Sequence, residues 1–182
     1  MKRVGSLILA IILMFSVFGC SMAGDSLNVE NGMLNWQADA EVTSYEVNFG
    51  DDTQSVTETS FDLTTAFQKS GDYEVVVNAV QVDGNSKQIG SINVTATVLE
   101  KARIGIEGIG NEKSFVIQAV EGATSYSYQI DGETPIEFEI EAGGTYQIPI
   151  TGTNQTISVC AKGTSEGTNI TCSSESTYSY LR

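Results

Sequence analysis

Apolar residues recur at every second position through most of this chain, and almost nowhere at the three-to-four spacing of an amphipathic helix. Leu34, Trp36 and Ala38 alternate with polar neighbours, and so do Tyr45, Val47 and Phe49. Tyr73, Val75, Val77 and Ala79 form another row, and Ile92, Val94, Ala96 and Val98 a further one. A period of two places such residues on one face of a strand, so each row predicts a half-buried β-strand. Turn-forming clusters separate the rows: Gly50-Asp51-Asp52, Ser70-Gly71-Asp72 and Asp83-Gly84-Asn85. These residues tolerate left-handed backbone or hydrogen-bond their own turn. Only Asp62 to Gln68 reads as a helical turn. Short alternating strands at this spacing predict an all-β fold of antiparallel sandwiches, each sheet with one buried face.

The pattern also repeats. Leu34-Asn35-Trp36-Gln37-Ala38 and Val42-Thr43-Ser44-Tyr45 correspond to Phe115-Val116-Ile117-Gln118-Ala119 and Ala123-Thr124-Ser125-Tyr126, all 81 positions later. Val75, Val77 and Ala79 correspond to Ile157, Val159 and Ala161 at 82, one residue having been inserted between. Aligned apolar positions at a shared long spacing indicate duplicated units. The expected division is 26–100 and 101–182. No Pro, Gly or Ser linker stands near Glu100-Lys101-Ala102, so the units are expected to abut with limited bend.

The first residues read as an address. Met1-Lys2-Arg3 is a short positive start, and Leu7 to Phe15 is an apolar run too short to span a bilayer permanently. Val17-Phe18-Gly19-Cys20 resembles a bacterial lipobox, with Val17 and Gly19 at its aliphatic and small positions and Phe18 bulkier than the usual occupant. The resemblance implies a cleaved signal peptide over 1–19, lipid attachment at Cys20 and a lipidated tether over 20–25. It places the protein on the extracytoplasmic face of a cell membrane, or of an outer membrane where the cell has one. An ordinary signal peptide cut after Ala23 is the competing reading.

Charge narrows the functions. The chain has 23 acidic and 9 basic side chains, a formal −14. Residues 1–19 hold two of the bases and no acid, so the remaining 163 residues carry 7 bases against 23 acids, a formal −16. Such a surface repels a phosphate backbone, which excludes nucleic acid as an expected partner. It offers no basic patch for anionic lipid, leaving membrane attachment to the lipid on Cys20. With no histidine, an imidazole proton shuttle or metal site cannot be built.

The 26–100 unit resembles fibronectin type III domains, particularly those of bacterial surface proteins. The resemblance rests on Trp36, on Thr43-Ser44-Tyr45-Glu46-Val47, and on Gly71-Asp72-Tyr73-Glu74-Val75-Val76-Val77-Asn78-Ala79-Val80. It implies an immunoglobulin-like sandwich in which Trp36 fills the core and Tyr73 makes a corner hydrogen bond, with Tyr45 and its repeat counterpart Tyr126 as structural core. In the second unit Ile117 replaces the tryptophan and Gln155 stands at the corner tyrosine's place. Asn48-Phe49-Gly50-Asp51-Asp52-Thr53 with Ser70-Gly71-Asp72-Tyr73-Glu74-Val75 also resembles the polycystic-kidney-disease-type repeat, another extracellular sandwich. Either resemblance implies a noncatalytic spacer or interaction module whose partner is an envelope protein or polysaccharide. An accessory glycan- or solute-binding lipoprotein is the alternative, and an adhesion module of the polycystic-kidney-disease type is a second.

Candidate chemistry is sparse. With Cys20 taken by lipid, Cys160 and Cys172 remain as a pair equidistant from Glu166, so a symmetric hairpin would oppose them and permit a disulfide. That disulfide is the expectation; Cys160 is out of phase with Ile157, Val159 and Ala161, a mismatch a bulge would reconcile, and free buried thiols are the competing reading. Asp51 and Asp52 in a turn, and Glu137, Glu139 and Glu141 along a strand, could attract calcium, but they lack the spacing of a dedicated loop and read more simply as solvated positions. Tyr178 and Tyr180 are the aromatic pair best placed for a glycan, against a plain role in the last strand. Asn93, Asn154 and Asn169 match the glycosylation sequon, without weight in a bacterial lipoprotein. No nucleophile, phosphate-loop, cofactor or metal motif is present, and no enzymatic activity is expected.

Overall fold

The computed structural model describes residues 27–181, so the signal segment, Cys20 and the tether lie outside the described residues. Fifteen strands and a single 3₁₀ turn make up the described chain. The first sandwich contains β1 (Leu27–Glu30), β2 (Met33–Trp36), β3 (Val42–Phe49), β4 (Asp52–Val56), β5 (Ser60–Asp62), β6 (Gly71–Gln81) and β7 (Ser86–Val98). The second contains β8 (Ile104–Ile109), β9 (Glu112–Gln118), β10 (Ser125–Ile130), β11 (Ile136–Phe138), β12 (Thr145–Pro149), β13 (Asn154–Lys162) and β15 (Ser174–Leu181). Between the last two lies β14 (Asn169–Cys172).

The two sandwiches share one topology. In each, the first, second and fifth strands form one sheet, β1-β2-β5 and β12-β9-β8, and the other four form the facing sheet. That order is the fibronectin type III-like variant of the immunoglobulin sandwich. The register preserves the duplication at residue level. Tyr45 opposes Ala79 in the first unit, and Tyr126 opposes Ala161 in the second, carrying both the 81 and the 82 offset. The two tyrosines also do the same job. Asp39 N donates to Tyr45 Oη at 3.3 Å, and Val120 N donates to Tyr126 Oη at 2.8 Å, each six residues back.

Alternation along the strands builds the cores. Leu34, Trp36, Tyr45, Val47, Phe49, Val75, Val77, Ala79, Val94 and Ala96 are buried in the first unit. Phe115, Ile117, Tyr126, Phe138, Ile148, Ile157, Val159 and Ala161 are buried in the second. Trp36 meets Tyr45 edge-on at 5.3 Å, while its indole nitrogen is buried without a hydrogen-bond partner. Tyr73, half-buried, donates from its hydroxyl to Lys69 O at 2.8 Å, the corner bond that ties β6 to the preceding loop. Gln155 ties the matching corner with opposite polarity: its Oε1 accepts from Thr151 N at 2.9 Å and Gly152 N at 3.0 Å. The helical turn lies at Leu63–Thr65, capped by Asp62, whose carboxylate accepts from Thr64 N.

Two expectations need correction. The glutamate row keeps its alternation, with Glu137, Glu139 and Glu141 exposed and Phe138 buried, but the paired strand stops at Phe138. The larger correction concerns β14. It belongs by sequence to the second half, yet it pairs in parallel with β7, Asn169 opposite Thr95 through Cys172 opposite Val98, as the fifth strand of the first unit's sheet.

Candidate functional site: the junction between the sandwiches

An eleven-residue connection, 163–173, from the end of β13 to the start of β15, leaves the second sandwich and returns to it. Gly163 begins the excursion where a Cβ would collide with Thr171 and lie 3.1 Å from Gly122 O. A tight turn follows, with Glu166 and Asn169 exchanging backbone bonds at 3.0 Å around Gly167 in the left-handed region. The chain then runs as β14 along β7. Thr95 N donates to Thr168 O at 2.9 Å and Leu99 N to Cys172 O at 3.1 Å, so both ends of the ladder are closed.

The side chains of β14 enter the first unit's core. Ile170 and Cys172 are each 1% exposed and pack with that core, while Asn169 faces solvent. Cys172 Sγ lies 3.5 Å from Leu63 O, and Ser173 N donates to Thr64 O at 3.0 Å. Ser165, also buried, accepts from Thr171 N through Oγ and sits over the β1–β2 turn. There Gly32, at φ +80°, is required. A Cβ would strike Thr64 and approach Ser165 Oγ to 3.2 Å. The exchange is reciprocal, because Leu99, directly after β7, is buried in the second unit's core. Ser174 Oγ closes the junction, donating to Glu100 O at 2.6 Å.

This arrangement overturns the disulfide. A hairpin symmetric about Glu166 would oppose the two cysteines, but β13 and β15 pair with Cys160 opposite Glu175. Cys160 lies half-buried on the outer face of the second unit, beside Ser127, Pro135, Ser158 and Glu175. Cys172 is carried into the first unit by β14, and both thiols are free. Burial pushes each thiol's pKa up, so neither has the thiolate character of a reactive cysteine.

The remaining candidates fall as follows. Tyr180 is 8% exposed, with Lys113 Nζ 5.2 Å from its ring centroid and 3.3 Å from its hydroxyl. Tyr178, 37% exposed, packs edge-on to Phe115 at 6.3 Å. The pair therefore belongs to the wall of the second core and does not form an open stacking platform. Asp51 and Asp52 line a shallow cleft with Phe67, Lys69 and Tyr73. No group of three or more carboxylates and cysteines gathers at metal-binding distance among the described residues. Asn93, Asn154 and Asn169 are exposed. Two clefts open on the second unit around Val120, and the smaller of them reaches the connecting segment. One of about 330 Å³ is lined by Val120, Ala123, Tyr126 and Ile140. Another of about 220 Å³ is lined by Lys101, Arg103, Gln118 and Glu121.

Sequence reasoning missed Leu99, Ser165, Gly32 and Ile170 as junction residues. A signal existed for one of them: Ile170 and Cys172 share a strand phase inside a segment otherwise read as a hairpin arm.

No family model matches the chain, and no curated protein is significantly similar to it. Among solved structures, the fibronectin(III)-like modules of Clostridium thermocellum CbhA align over 79% of this chain and 82% of that one, at 19% identity and a TM-score of 0.29. The central fibronectin-III array of RIM-binding protein aligns over 86% of this chain and 66% of that one, at 14% identity and a TM-score of 0.29. The fold assignment rests on the strand order and registers above, not on these superpositions.

Proposed function

We propose that this chain is a noncatalytic extracytoplasmic spacer and interaction module, tethered to the membrane by lipid on Cys20. The observation that carries the reading is the reciprocal core exchange at the junction. Tandem domains joined by a free linker move independently by default. Here Leu99 fills one core while Ile170 and Cys172 fill the other, so the pair holds one relative orientation. A fixed pair suits a protein that presents a surface at a set distance from its anchor, and a carrier or enzyme has no evident need of it. The acidic surface supports the same reading, since it disfavours adhesion to anionic envelope polymers.

Two measurements test the proposal. Expressed with its own N-terminus in a bacterial host, the wild type is expected to take up labelled fatty acid and sediment with membranes, whereas Cys20→Ser is released. Equal release of both removes the lipid tether. Immobilised 21–182 fragment, shown to be folded, is then challenged with envelope extracts. A saturable partner, competed by soluble fragment, identifies an interaction module, and hydrolysis of an offered polysaccharide overturns the noncatalytic assignment.

A further inference from the structure

We propose that the two clefts around Val120 form one binding site for a free α-amino acid with a branched or aromatic side chain. The larger, of about 330 Å³, is walled by Val120, Ala123, Tyr126, Ile140 and Ala142. The smaller, of about 220 Å³, is lined by Glu100, Lys101, Arg103, Gln118 and Glu121. Ala119, Val120 and Glu121 border both, so the two meet along that segment. Charge decides what fits. Lys87 is paired with Asp39 at 3.3 Å and Lys162 with Glu137 at 3.0 Å, and Lys113 stands over the Tyr180 ring. Lys101 and Arg103 make no ion pair among the described residues, although Glu100 and Glu121 line the same cleft. Both signs of charge therefore border one space without cancelling in pairs. A lone anion there meets the two glutamates, and a lone cation meets the lysine and the arginine. A ligand with an ammonium and a carboxylate on one carbon answers both, through charge-assisted hydrogen bonds, which are the strong ones. The side chain on that carbon then has the neighbouring apolar cleft to enter. Concave, mostly apolar walls with a few placed polar groups are the usual form of a small-molecule site.

The backbone around the site is held in place by the protein itself. Glu100 O accepts from Ser174 Oγ at 2.6 Å and Arg103 O from Gln118 N at 3.0 Å, which fixes the segment carrying both cations. Val120 N donates to Tyr126 Oη at 2.8 Å, Ala123 N to Val120 O at 3.2 Å and Ala119 N to Gly144 O at 3.0 Å, which fixes the wall between the clefts. A frame already ordered lowers the cost of binding. The four charged side chains are exposed, so a ligand reaches them from solvent. This site goes beyond the spacer reading and takes from it only the fixed position of residues 100–103.

The test titrates the full chain, purified in detergent, with L-leucine and L-phenylalanine by calorimetry. At least one is expected to bind saturably. Its N-acetyl form, which lacks the ammonium, and its amide, which lacks the carboxylate, should each bind at least about 10-fold more weakly, the loss of one charge-assisted bond. In Lys101→Gln/Arg103→Gln the acid and its amide should bind equally, and in Glu100→Gln/Glu121→Gln the acid and its N-acetyl form should. Ala142→Leu, filling the apolar cleft from its exposed rim, should weaken binding at least about 10-fold. All five positions are exposed, and circular dichroism is expected to show each variant folded. No saturation by either amino acid below about 10 mM overturns the site, as does discrimination that survives both charge-removing variants. Tighter binding of the N-acetyl form would make the occupant a peptide C-terminus, and of the amide a peptide N-terminus; either result overturns the free amino acid.

Discussion

Replacing Ile170 by alanine should destabilise the sandwich to which that residue does not belong by sequence. The change removes three buried carbons from a side chain 1% exposed in the first unit's core. At about 0.8 kcal/mol per methylene the transfer loss is about 2.4 kcal/mol. Substitutions of this kind cost about 2–5 kcal/mol once the cavity is included. A four-residue edge strand can settle inward, which holds the total near the low end, at about 3 kcal/mol. With both sandwiches unfolding together, over the 155 described residues, that corresponds to a fall in Tm of roughly 6–12 °C. The chain supplies its own probe, since its one tryptophan, Trp36, is buried in the first unit. Thermal and urea unfolding followed by Trp36 emission should shift by that amount, together with far-ultraviolet circular dichroism. A Trp36 transition that stays in place while the circular dichroism splits would refute the core exchange, because Ile170 would then be stabilising only its own half.

Four further outcomes follow from the same geometry. Leu99→Ala, in the connecting segment, should destabilise the second sandwich by about 2–4 kcal/mol, read by hydrogen exchange of β10 and β13 amides; unchanged protection there would place Leu99 outside that core. Tyr73→Phe should cost about 0.5–1.5 kcal/mol in urea unfolding by removing the bond to Lys69 O, and a neutral result would mean that the corner bond contributes nothing net. Intact mass and thiol titration under denaturing, non-reducing conditions should find Cys160 and Cys172 both reduced, and a mass two units lower would contradict their separation into different units. Asp83, exposed in the β6–β7 turn, accepts from Asn85 N and Nδ2, which holds its carboxyl below the ordinary 3.8. A depressed pKa stabilises above the unfolded value and loses that contribution as pH falls through the folded one. The turn's protection should therefore weaken only below about pH 4, and an NMR midpoint for Asp83 above 3.8 would reverse the sign.

Within-unit structure was legible because it is written in local pattern. Tyr45 and Tyr126 stand at one spacing in two copies, and the structure gives them the same hydrogen bond to the chain six residues back. Tyr73 announced its corner by its place at the head of an alternating strand. Gln155 did not, because an amide accepting two backbone bonds leaves no apolar signature, though it closes the equivalent corner. The junction was illegible for a related reason. Alternation at Ile170 and Cys172 says that one face is buried, and is silent on which core buries it. A symmetric hairpin placed Cys172 opposite Cys160, whereas the backbone pairs Cys160 with Glu175 and sends the intervening segment to another sheet. Gly32 carried no mark either, since its necessity comes from Thr64 and Ser165, the latter 133 positions away.

The reciprocity of the junction constrains what the protein can be. Had only the second unit reached into the first, the first could still be a self-sufficient domain with an added edge strand. Because Leu99 goes the other way, each sandwich takes part of its interior from the other. Unfolding either half then exposes apolar surface of both, which couples their stabilities and resists independent motion about the Glu100–Arg103 segment. The loop that achieves this joins the last two strands of its sandwich. It lies at the pole facing the neighbour, where an immunoglobulin-like module has loops free to bind. In this chain that loop is spent on its partner unit. Recognition of anything else is left to the strand faces, the remaining loops and the clefts beside Val120 and Lys101.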